Sequence, residues 1–405
     1  MTPNAVPISP QTQRTILLLS FATFSSMVAQ RICDAMLPEL ARVFEVGLAQ
    51  AAQVVSMFAV VYGVAQLVYG PLGDRLGKFR IVAWATLACG IGSLLAVLAA
   101  SLNQLVLARM ATGLAAAAII PLSMAWIGDN VRLDQLQETI ARVGLGTTLG
   151  IGGGQLVGGL LTQTLGWRWA FVFLALLFGV VGTLLLTDLR RQRAVADPAV
   201  LPTGPRPSFF TQTGTIIAGP WSRVVLLTAF AEGAAGFGVL AIWAAHLQRS
   251  LDMSVSASGA FVALFGLGGM VYMATARRLI ARLGQLGLAM GGGGLMGVCA
   301  LVVAFAPVWP LAVPASLLAG FGFFMFHNTM QANAAQMAPH ARGTAVSLFA
   351  AALFLGQSVG ALLAASLIAS IGSRMVVALG GMVMIALGLL FGAALRRHSR
   401  VAAGA

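Results

Sequence analysis

The sequence predicts an all-α integral membrane protein that crosses the bilayer twelve times. Of its residues 59% are apolar and only 9% are charged, and the mean hydropathy is +0.92. A soluble surface of this size would carry far more charge. The apolar residues also fall into twelve long, continuously apolar runs, whereas the strands of an outer-membrane barrel alternate in polarity.

We number these runs as spans 1 to 12. A helix of about 20 residues crosses the hydrocarbon core, and each run is of that order. The predicted spans are 15–37, 49–70, 79–100, 104–127, 138–163, 168–187, 223–247, 256–276, 285–306, 309–335, 343–370 and 374–395.

The basic residues predict that both termini are cytoplasmic. With that orientation, 18 of the 24 Lys and Arg residues lie on the cytoplasmic side, as the positive-inside rule requires. The net charge of +13 then follows from topology and from anionic lipid, and no nucleic-acid partner is expected. Residues 1–13 are polar and have no signal-cleavage pattern, so they are expected to form a cytoplasmic tail, as are residues 396–405.

The chain is predicted to be a duplicated unit. An offset of 207 residues aligns Phe58 with Phe265, and an offset of 202 aligns Gly154 with Gly356. Such a repeat predicts two pseudo-symmetric bundles of six helices, with a substrate site near the bilayer midplane between them. The expected bundles are residues 14–188 and 221–395, joined by an Arg- and Pro-rich cytoplasmic linker at 189–220.

A glycine-rich loop joins spans 2 and 3, with the sequence Gly70-Pro71-Leu72-Gly73-Asp74-Arg75-Leu76-Gly77-Lys78. A connection this short makes the two spans antiparallel neighbours, and glycine supplies the backbone freedom of the turn. The loop resembles the one between helices 2 and 3 of the major facilitator superfamily, whose pattern is roughly Gly-x-Leu-x-Asp-Arg-x-Gly-Arg/Lys. The resemblance implies the two-bundle fold and alternating access.

The same resemblance implies a gate at the cytoplasmic face. Asp74 is expected to face the start of span 11 near Arg342, where a carboxylate interacts favourably with the helix dipole. Arg75 is expected to pair with Asp129 at the end of span 4. The residues of this expected gate are Gly70, Asp74, Arg75, Gly77, Lys78, Asp129 and Arg342.

Further motifs resemble the twelve-helix drug:proton antiporters of that superfamily. Asp34 begins an Asp-x-x-x-Pro run like the one that ends helix 1, and Arg109 begins an Arg-x-x-x-Gly run like the one in helix 4. The resemblance implies that Asp34 takes up and releases a proton, with Arg109 as its partner. An arginine that reaches the outer headgroups is the alternative for Arg109. The helix 5 motif of these antiporters ends Gly-Pro-x-x-Gly-Gly, and Gln155 replaces its proline, which is associated with export.

Asp34 and Glu232 are the only acids well within the spans, and such groups usually face a cavity or a partner. Arg31 lies one turn before Asp34, so a static ion pair and a proton-coupling pair both remain open. Glu232 shares a helical face with Trp243. A second proton site, a handle for a cationic substrate and a structural acid all remain open for Glu232.

Polar residues within the spans mark a candidate cavity. Span 1 carries a polar stripe at steps of three and four residues. In span 10, His327 could titrate near neutral pH or only donate a hydrogen bond. Gln155 and its repeat mate Gln357 could line the cavity or hold helices together. The candidate cavity residues are Thr23, Ser26, Gln30, Gln155, Trp243, His327, Asn328, Gln331 and Gln357.

Glycine recurs at every fourth position of span 5, in a stripe that lets another helix approach at backbone distance. The stripe predicts a helix-packing seam. Its members are Gly146, Gly150, Gly154 and Gly158.

The function implied by the resemblance is proton-driven export of small amphipathic organic compounds or drugs, by a monomer in the bacterial inner membrane. Proton-coupled uptake of a small metabolite, such as an anion, and a lipid-handling or sensory role without ion coupling are the alternatives. An enzyme is not expected, because neither a His-Glu-x-x-His nor a Gly-x-Ser-x-Gly motif is present. No cofactor or metal is expected: Cys33, Cys89 and Cys299 lie in separate spans without metal-ligand spacing.

Overall fold

The computed structural model describes residues 9–195 and 209–403, which are helical almost throughout and contain no strand. A six-residue π-helix covers Gly233–Gly238, and a 3-10 turn covers Pro339–Ala341. The α-helices are α1 (Pro10–Arg31), α2 (Leu37–Val43), α3 (Leu48–Ala51), α4 (Gln53–Leu76), α5 (Lys78–Val97), α6 (Leu102–Ala116), α7 (Ile119–Asn130), α8 (Leu133–Thr164), α9 (Trp167–Val195), α10 (Phe209–Ala218), α11 (Pro220–Glu232), α12 (Trp243–Ser250), α13 (Val255–Phe305), α14 (Trp309–Gln336) and α15 (Arg342–Ala403).

These helices account for the twelve predicted spans. Among the described residues, eight helical stretches are long and apolar enough to cross a membrane. Two of these stretches contain two spans each, because the chain turns inside them. The turn in α13 lies at Gly284, with a φ of +60°, and the turn in α15 lies at Gly372, with a φ of +79°. Such angles favour glycine. The more polar α1 and α8, with 22 and 32 residues, complete the set of twelve.

Local signals set several helix ends. The Ser9 side chain caps α1 by accepting a hydrogen bond from the Thr12 amide, next to a proline at the first helical position. The loop predicted between spans 2 and 3 is reduced to Gly77, whose φ of +91° ends α4 and starts α5. Spans 2 and 3 are therefore antiparallel neighbours.

Four of the predicted spans are not single continuous helices. Span 1 is interrupted by turns at residues 32–36, between α1 and α2, span 2 by a turn at residue 52, between α3 and α4, and span 4 by a turn at 117–118. Span 7 consists of α11, the π-helix, a turn at 241–242 and α12. When the two halves are aligned by the 207-residue offset, the break in span 1 coincides with the turn in span 7. The apolar pattern did not reveal these breaks because each run stays apolar through its turn.

The glycine stripe of α8 faces α1. A β-carbon built on Gly150 would lie 2.5 Å from the carbonyl oxygen of Phe24, and one built on Gly154 would lie 2.7 Å from that of Val28. The stripe glycine one turn before, Gly146, faces Ser20 of α1 in the same way, and the one a turn after, Gly158, faces Ile32 just beyond the end of α1. The two helices thus touch at backbone distance.

A second face of α8 joins the N-terminal half, spans 1 to 6, to the C-terminal half, spans 7 to 12. A β-carbon on Gly152 would lie 2.9 Å from the Ala263 carbonyl oxygen. In return, a β-carbon on Gly259 of α13 would lie 2.5 Å from the Gln155 carbonyl oxygen. Close packing of α8 on α13 therefore forms one side of the interface between the halves.

The predicted tails and linker are partly helical. The first helix begins at Pro10, α15 extends to Ala403, and α10 lies within the stretch predicted as the linker. Residues 1–8, 196–208 and 404–405 lie outside the described residues, so the predictions for those segments stay predictions.

Candidate functional site

The break in span 1 places a carboxylate inside the bundle. Asp34 lies in the turn segment, and its amide donates to the Arg31 carbonyl at 3.2 Å. Pro38, in the first turn of α2, has no amide with which to continue a helical ladder back to Asp34. The Asp34 side chain is fully buried, at 0% exposure.

One amide and one guanidinium hold Asp34. The Gln155 Nε2 donates to its Oδ2 at 2.6 Å, and the Arg31 Nη1 lies 3.4 Å from the same oxygen. The other oxygen, Oδ1, has no hydrogen-bond partner among the described residues. The ion pair of Arg31 and Asp34 is therefore present and completely buried.

Arg31 also reaches the C-terminal half. Its Nη1 lies 3.4 Å from the carbonyl oxygen of Phe237, and its guanidinium carbon lies 4.1 Å from the centroid of that ring. Its Nε and Nη2 have no partner in the part of the chain that the structure describes. One guanidinium thus joins the carboxylate of span 1 to the π-helix of span 7.

Two glutamine contacts cross between the halves beside this ion pair. The Gln30 Nε2 donates to the Gln357 Oε1 at 3.2 Å. The Gln248 Nε2 donates to the Ala35 carbonyl at 3.0 Å, so the C-terminal half satisfies a backbone group of the span 1 break. Gln30, Gln155 and Gln357 are all buried in this closed interface.

Arg109 lies within the N-terminal half and does not touch Asp34 directly. Its Nε donates to the Val54 carbonyl at 3.3 Å, and its guanidinium lies 4.2 Å above the Phe58 ring. No hydrogen bond or ion pair joins Arg109 to Asp34 among the described residues, where its two terminal nitrogens also have no partner. At 1% exposure it does not reach the headgroups, so that alternative is wrong.

The second buried acid has a partner that the sequence did not indicate. Glu232 is fully buried, and its Oε1 lies 2.9 Å from His327 Nδ1. The expectation that Glu232 shares a helical face with Trp243 was wrong, because the π-helix and the following turn break the helical period between them. Trp243 itself is buried.

The remaining cavity residues lie in different environments. Thr23 and Ser26 are buried, and the Thr23 hydroxyl donates to a carbonyl one turn earlier in α1. Ser26 lies next to Tyr62 of α4, a buried phenol that the sequence analysis did not single out. Asn328 is half-buried and Gln331 is exposed.

The expected gate is partly different in the structure. Asp129 pairs with Lys78 and not with Arg75, which is exposed, and this corrects the expected pairing. Lys78 and Asp129 both belong to the N-terminal half, so their ion pair does not cross to the other half. Arg342 begins α15 and is exposed, and the side chain of Asp74 lies outside the described part of the chain.

Asp188 is a buried acid that the sequence analysis missed, because it directly follows the predicted end of span 6. Its Oδ2 accepts a hydrogen bond from the Thr15 hydroxyl at 2.7 Å, and its Oδ1 lies 3.5 Å from the Arg14 Nε. The side chain is only 2% exposed. Asp188 therefore links the end of α9 to the start of α1 through these two contacts.

Within residues 9–195 and 209–403, no group of three His, Cys, Asp or Glu side chains is placed to hold a metal ion. Cys33, Cys89 and Cys299 are free thiols.

The comparisons with known proteins give one consistent result. Residues 19–361 match the family model described as Major Facilitator Superfamily. The chain is 27% identical to the uncharacterized MFS-type transporter YceJ of Bacillus subtilis (strain 168), over 83% of the chain and 84% of YceJ. It is also 27% identical to the multidrug export protein EmrB of Escherichia coli (strain K12), but over only 44% of the chain and 34% of EmrB. A bacterial homologue of the human lysosomal transporter Spinster, solved in an inward-facing and unoccupied conformation, shares the fold with a TM-score of 0.70 at 18% identity over 96% of each chain.

Proposed function

The chain belongs to the major facilitator superfamily, and from that premise we propose that it exports small amphipathic organic compounds in exchange for protons. Family membership makes it a multi-pass membrane transporter of small molecules rather than an enzyme. Export is supported by the partial match to a protein named as a multidrug export protein. The proposal places the chain, as a monomer, in a bacterial inner membrane.

The buried contact of Asp34 with Arg31 is the observation that carries the proton-coupling part of the proposal. Protonation of Asp34 would remove the negative charge that holds Arg31, whereas a guanidinium stays charged. Arg31 would then lose one of its two attachments and keep the one to the Phe237 carbonyl. Proton uptake in one half would therefore change a contact with the other half.

The polar residues around this pair are proposed to bind the substrate when the halves separate. Gln30, Gln155 and Gln357 each retain an amide atom without a partner among the described residues. Buried polar atoms of this kind are usually satisfied in another state or by a ligand. The loop with Asp74 and Arg75 is proposed to gate the cytoplasmic side, as the family resemblance implies.

Proton-coupled uptake is the second candidate, and one observation favours it. Gln155 occupies the place of the proline that is associated with export, and it donates directly to Asp34. Because Gln155 belongs to α8, proton binding at Asp34 would be coupled to a helix that also packs on the C-terminal half. The same proton cycle would serve either transport direction.

Transport into inverted membrane vesicles tests the proposal. The vesicles would be given a panel of radiolabelled or fluorescent amphipathic compounds, with and without an imposed pH gradient that is acidic inside. Export predicts accumulation inside inverted vesicles that depends on this gradient and collapses when a protonophore is added.

The matched controls are vesicles without the protein and vesicles with the opposite gradient. Accumulation only in right-side-out vesicles would establish uptake in place of export. Movement of compounds or lipids that does not depend on the pH gradient, in inverted or in right-side-out vesicles, would contradict proton coupling.

A further inference from the structure

His327, the partner of Glu232, lies among aromatic side chains that we call the aromatic box. The imidazole stacks on Phe323, with ring centroids 5.5 Å apart and planes inclined by 10°. The ring of Phe349 lies 5.6 Å from the imidazole, and two further rings lie 6.4 and 6.5 Å away. The aromatic box consists of Phe237, Phe323, Phe324 and Phe349.

Glu232 is a buried carboxylate without a permanent cation. Its Oε1 has the imidazole of His327, but its Oε2 has no partner among the described residues, and its side chain is 0% exposed. An imidazole does not carry the permanent positive charge of a guanidinium, so it compensates a carboxylate incompletely. A buried charge without a full partner is costly, so the carboxylate of Glu232 would be stabilised by an additional cation.

The other buried acid of the spans is already compensated. Asp34 has the guanidinium of Arg31 and the amide of Gln155 as partners. Arg31 carries a fixed positive charge that repels a second cation from Asp34. A cationic ligand is therefore attracted to Glu232 and not to the ion pair of span 1.

We propose that Glu232 is the anionic group of a binding site for hydrophobic organic cations, and that the His327 ring occupies this site in the empty transporter. The proposal names the substrate class of the exporter proposed above and so rests on that function. A ligand ammonium or phosphonium would displace the imidazole from Glu232 and lie among the rings. Aromatic faces attract a cation whose centre comes within about 6 Å of the ring centroid.

The site can be approached from the cytoplasmic end. The His327 side chain is 14% exposed, so the mouth of the box is not sealed. Gln331 lies one turn farther toward the end of α14 that is predicted to be cytoplasmic, and it is exposed. A cation that enters from the cytoplasm would pass Gln331, meet His327 and reach Glu232, which is the loading direction that export requires.

The test measures binding of two probes of the same shape and opposite charge, tetraphenylphosphonium and tetraphenylborate. Purified full-length protein in phosphatidylcholine nanodiscs would be assayed by equilibrium dialysis, with empty nanodiscs subtracted. Glu232→Gln should weaken tetraphenylphosphonium binding by at least about tenfold, because it removes the buried charge that pairs with the ligand. Binding of tetraphenylborate should not weaken.

Two further variants make the result specific. His327→Ala should tighten tetraphenylphosphonium binding, because it removes the internal competitor for Glu232. Glu39→Gln is the matched control, since it neutralises an acid that pairs with Arg42 on the surface, and it should bind like the wild type. If Glu232→Gln fails to fold, His327→Ala and Glu232→Asp, which keeps the charge, still test the proposal.

Several outcomes would overturn the cation site. They are no tetraphenylphosphonium binding by the wild type, equal affinity in Glu232→Gln, equal weakening of both probes in that variant, and weaker binding in His327→Ala. None of these measurements uses a pH gradient. Loss of gradient-driven transport with intact, Glu232-dependent binding would refute the proton coupling alone, so the two proposals fail separately.

Discussion

The guanidinium of Arg31 lies 4.1 Å above the ring of Phe237 and donates to the carbonyl of the same residue at 3.4 Å. The same residue belongs to the aromatic box, because the Phe237 ring lies 4.5 Å from that of Phe323, on which His327 stacks. Both buried acid–base pairs, one from each half, therefore meet at Phe237. A change in the charge of Asp34 would act, through Arg31, on Phe237, which is also part of the aromatic box around His327.

The first prediction concerns this contact. Phe237→Leu keeps the backbone carbonyl and most of the apolar volume but removes the ring under Arg31. A cation–π contact of this kind is worth about 0.5–2 kcal/mol, so gradient-driven transport should fall by about two- to thirtyfold. Initial transport rates in inverted vesicles measure the effect. Phe391→Leu is the control, because Phe391 is a buried ring that packs on Trp221. An equal loss in both variants would show that only packing was disturbed.

The second prediction concerns the seam between α8 and α1. Gly150→Ala adds a β-carbon 2.5 Å from the Phe24 carbonyl oxygen, so α1 must move away. We expect a lower melting temperature and loss of most transport, because α1 carries Arg31 and leads into the segment with Asp34. Gly179→Ala in α9 is the matched control, since its β-carbon would meet nothing within 4 Å. Wild-type transport in Gly150→Ala would mean that the seam is not needed.

The twelve spans could be predicted from the sequence because apolar length alone decides which segments can enter a bilayer. The breaks in spans 1, 2, 4 and 7 could not, since a run has the same composition whether its helix is continuous or broken. Pro38 was the one local signal, because a proline cannot donate to the carbonyl four residues earlier. Gly284 and Gly372 separate consecutive spans with a single residue each, which composition also does not show.

The site could be predicted only where its contacts are local. Arg31 and Asp34 are three residues apart, so their proximity followed from spacing. Glu232 and His327 are 95 residues apart, and Arg31 and Phe237 are 206 apart, so tertiary packing alone brings them together. Arg109 was assigned to Asp34 by family resemblance, but its guanidinium lies over Phe58.

The third prediction concerns the buried acid at the cytoplasmic end. Asp188→Ala removes one acceptor of the Thr15 hydroxyl, which also donates to the Gln11 carbonyl, and a partner of Arg14, so it should destabilise the protein by about 1–3 kcal/mol. Thermal unfolding of the purified protein in detergent measures this as a lower melting temperature. Asp129→Ala is the control, because its side chain is 57% exposed although it pairs with Lys78, and such pairs contribute about 0–1 kcal/mol. A larger shift in Asp129→Ala than in Asp188→Ala would contradict the assignment of Asp188 as the stronger attachment.

The fourth prediction tests the coupling acid. Asp34→Asn keeps the shape of the side chain and an acceptor for Gln155, but it cannot take up and release a proton. We expect the variant to lose accumulation of substrate against its gradient and to retain downhill exchange, since binding does not require the charge cycle. Counterflow and gradient-driven uptake in the same inverted vesicles separate these two activities.

Glu232→Gln is the comparison for Asp34→Asn, because it neutralises the other buried acid of the spans. If Asp34 couples and Glu232 binds a cation, Glu232→Gln should lose transport of cationic compounds in both assays, with uphill transport of neutral compounds retained. Asp34→Asn should lose uphill transport of both kinds of compound and keep exchange of both. Continued concentration of substrate by Asp34→Asn in response to pH would refute its role, and loss of all uphill transport in Glu232→Gln alone would place the coupling acid in the C-terminal half.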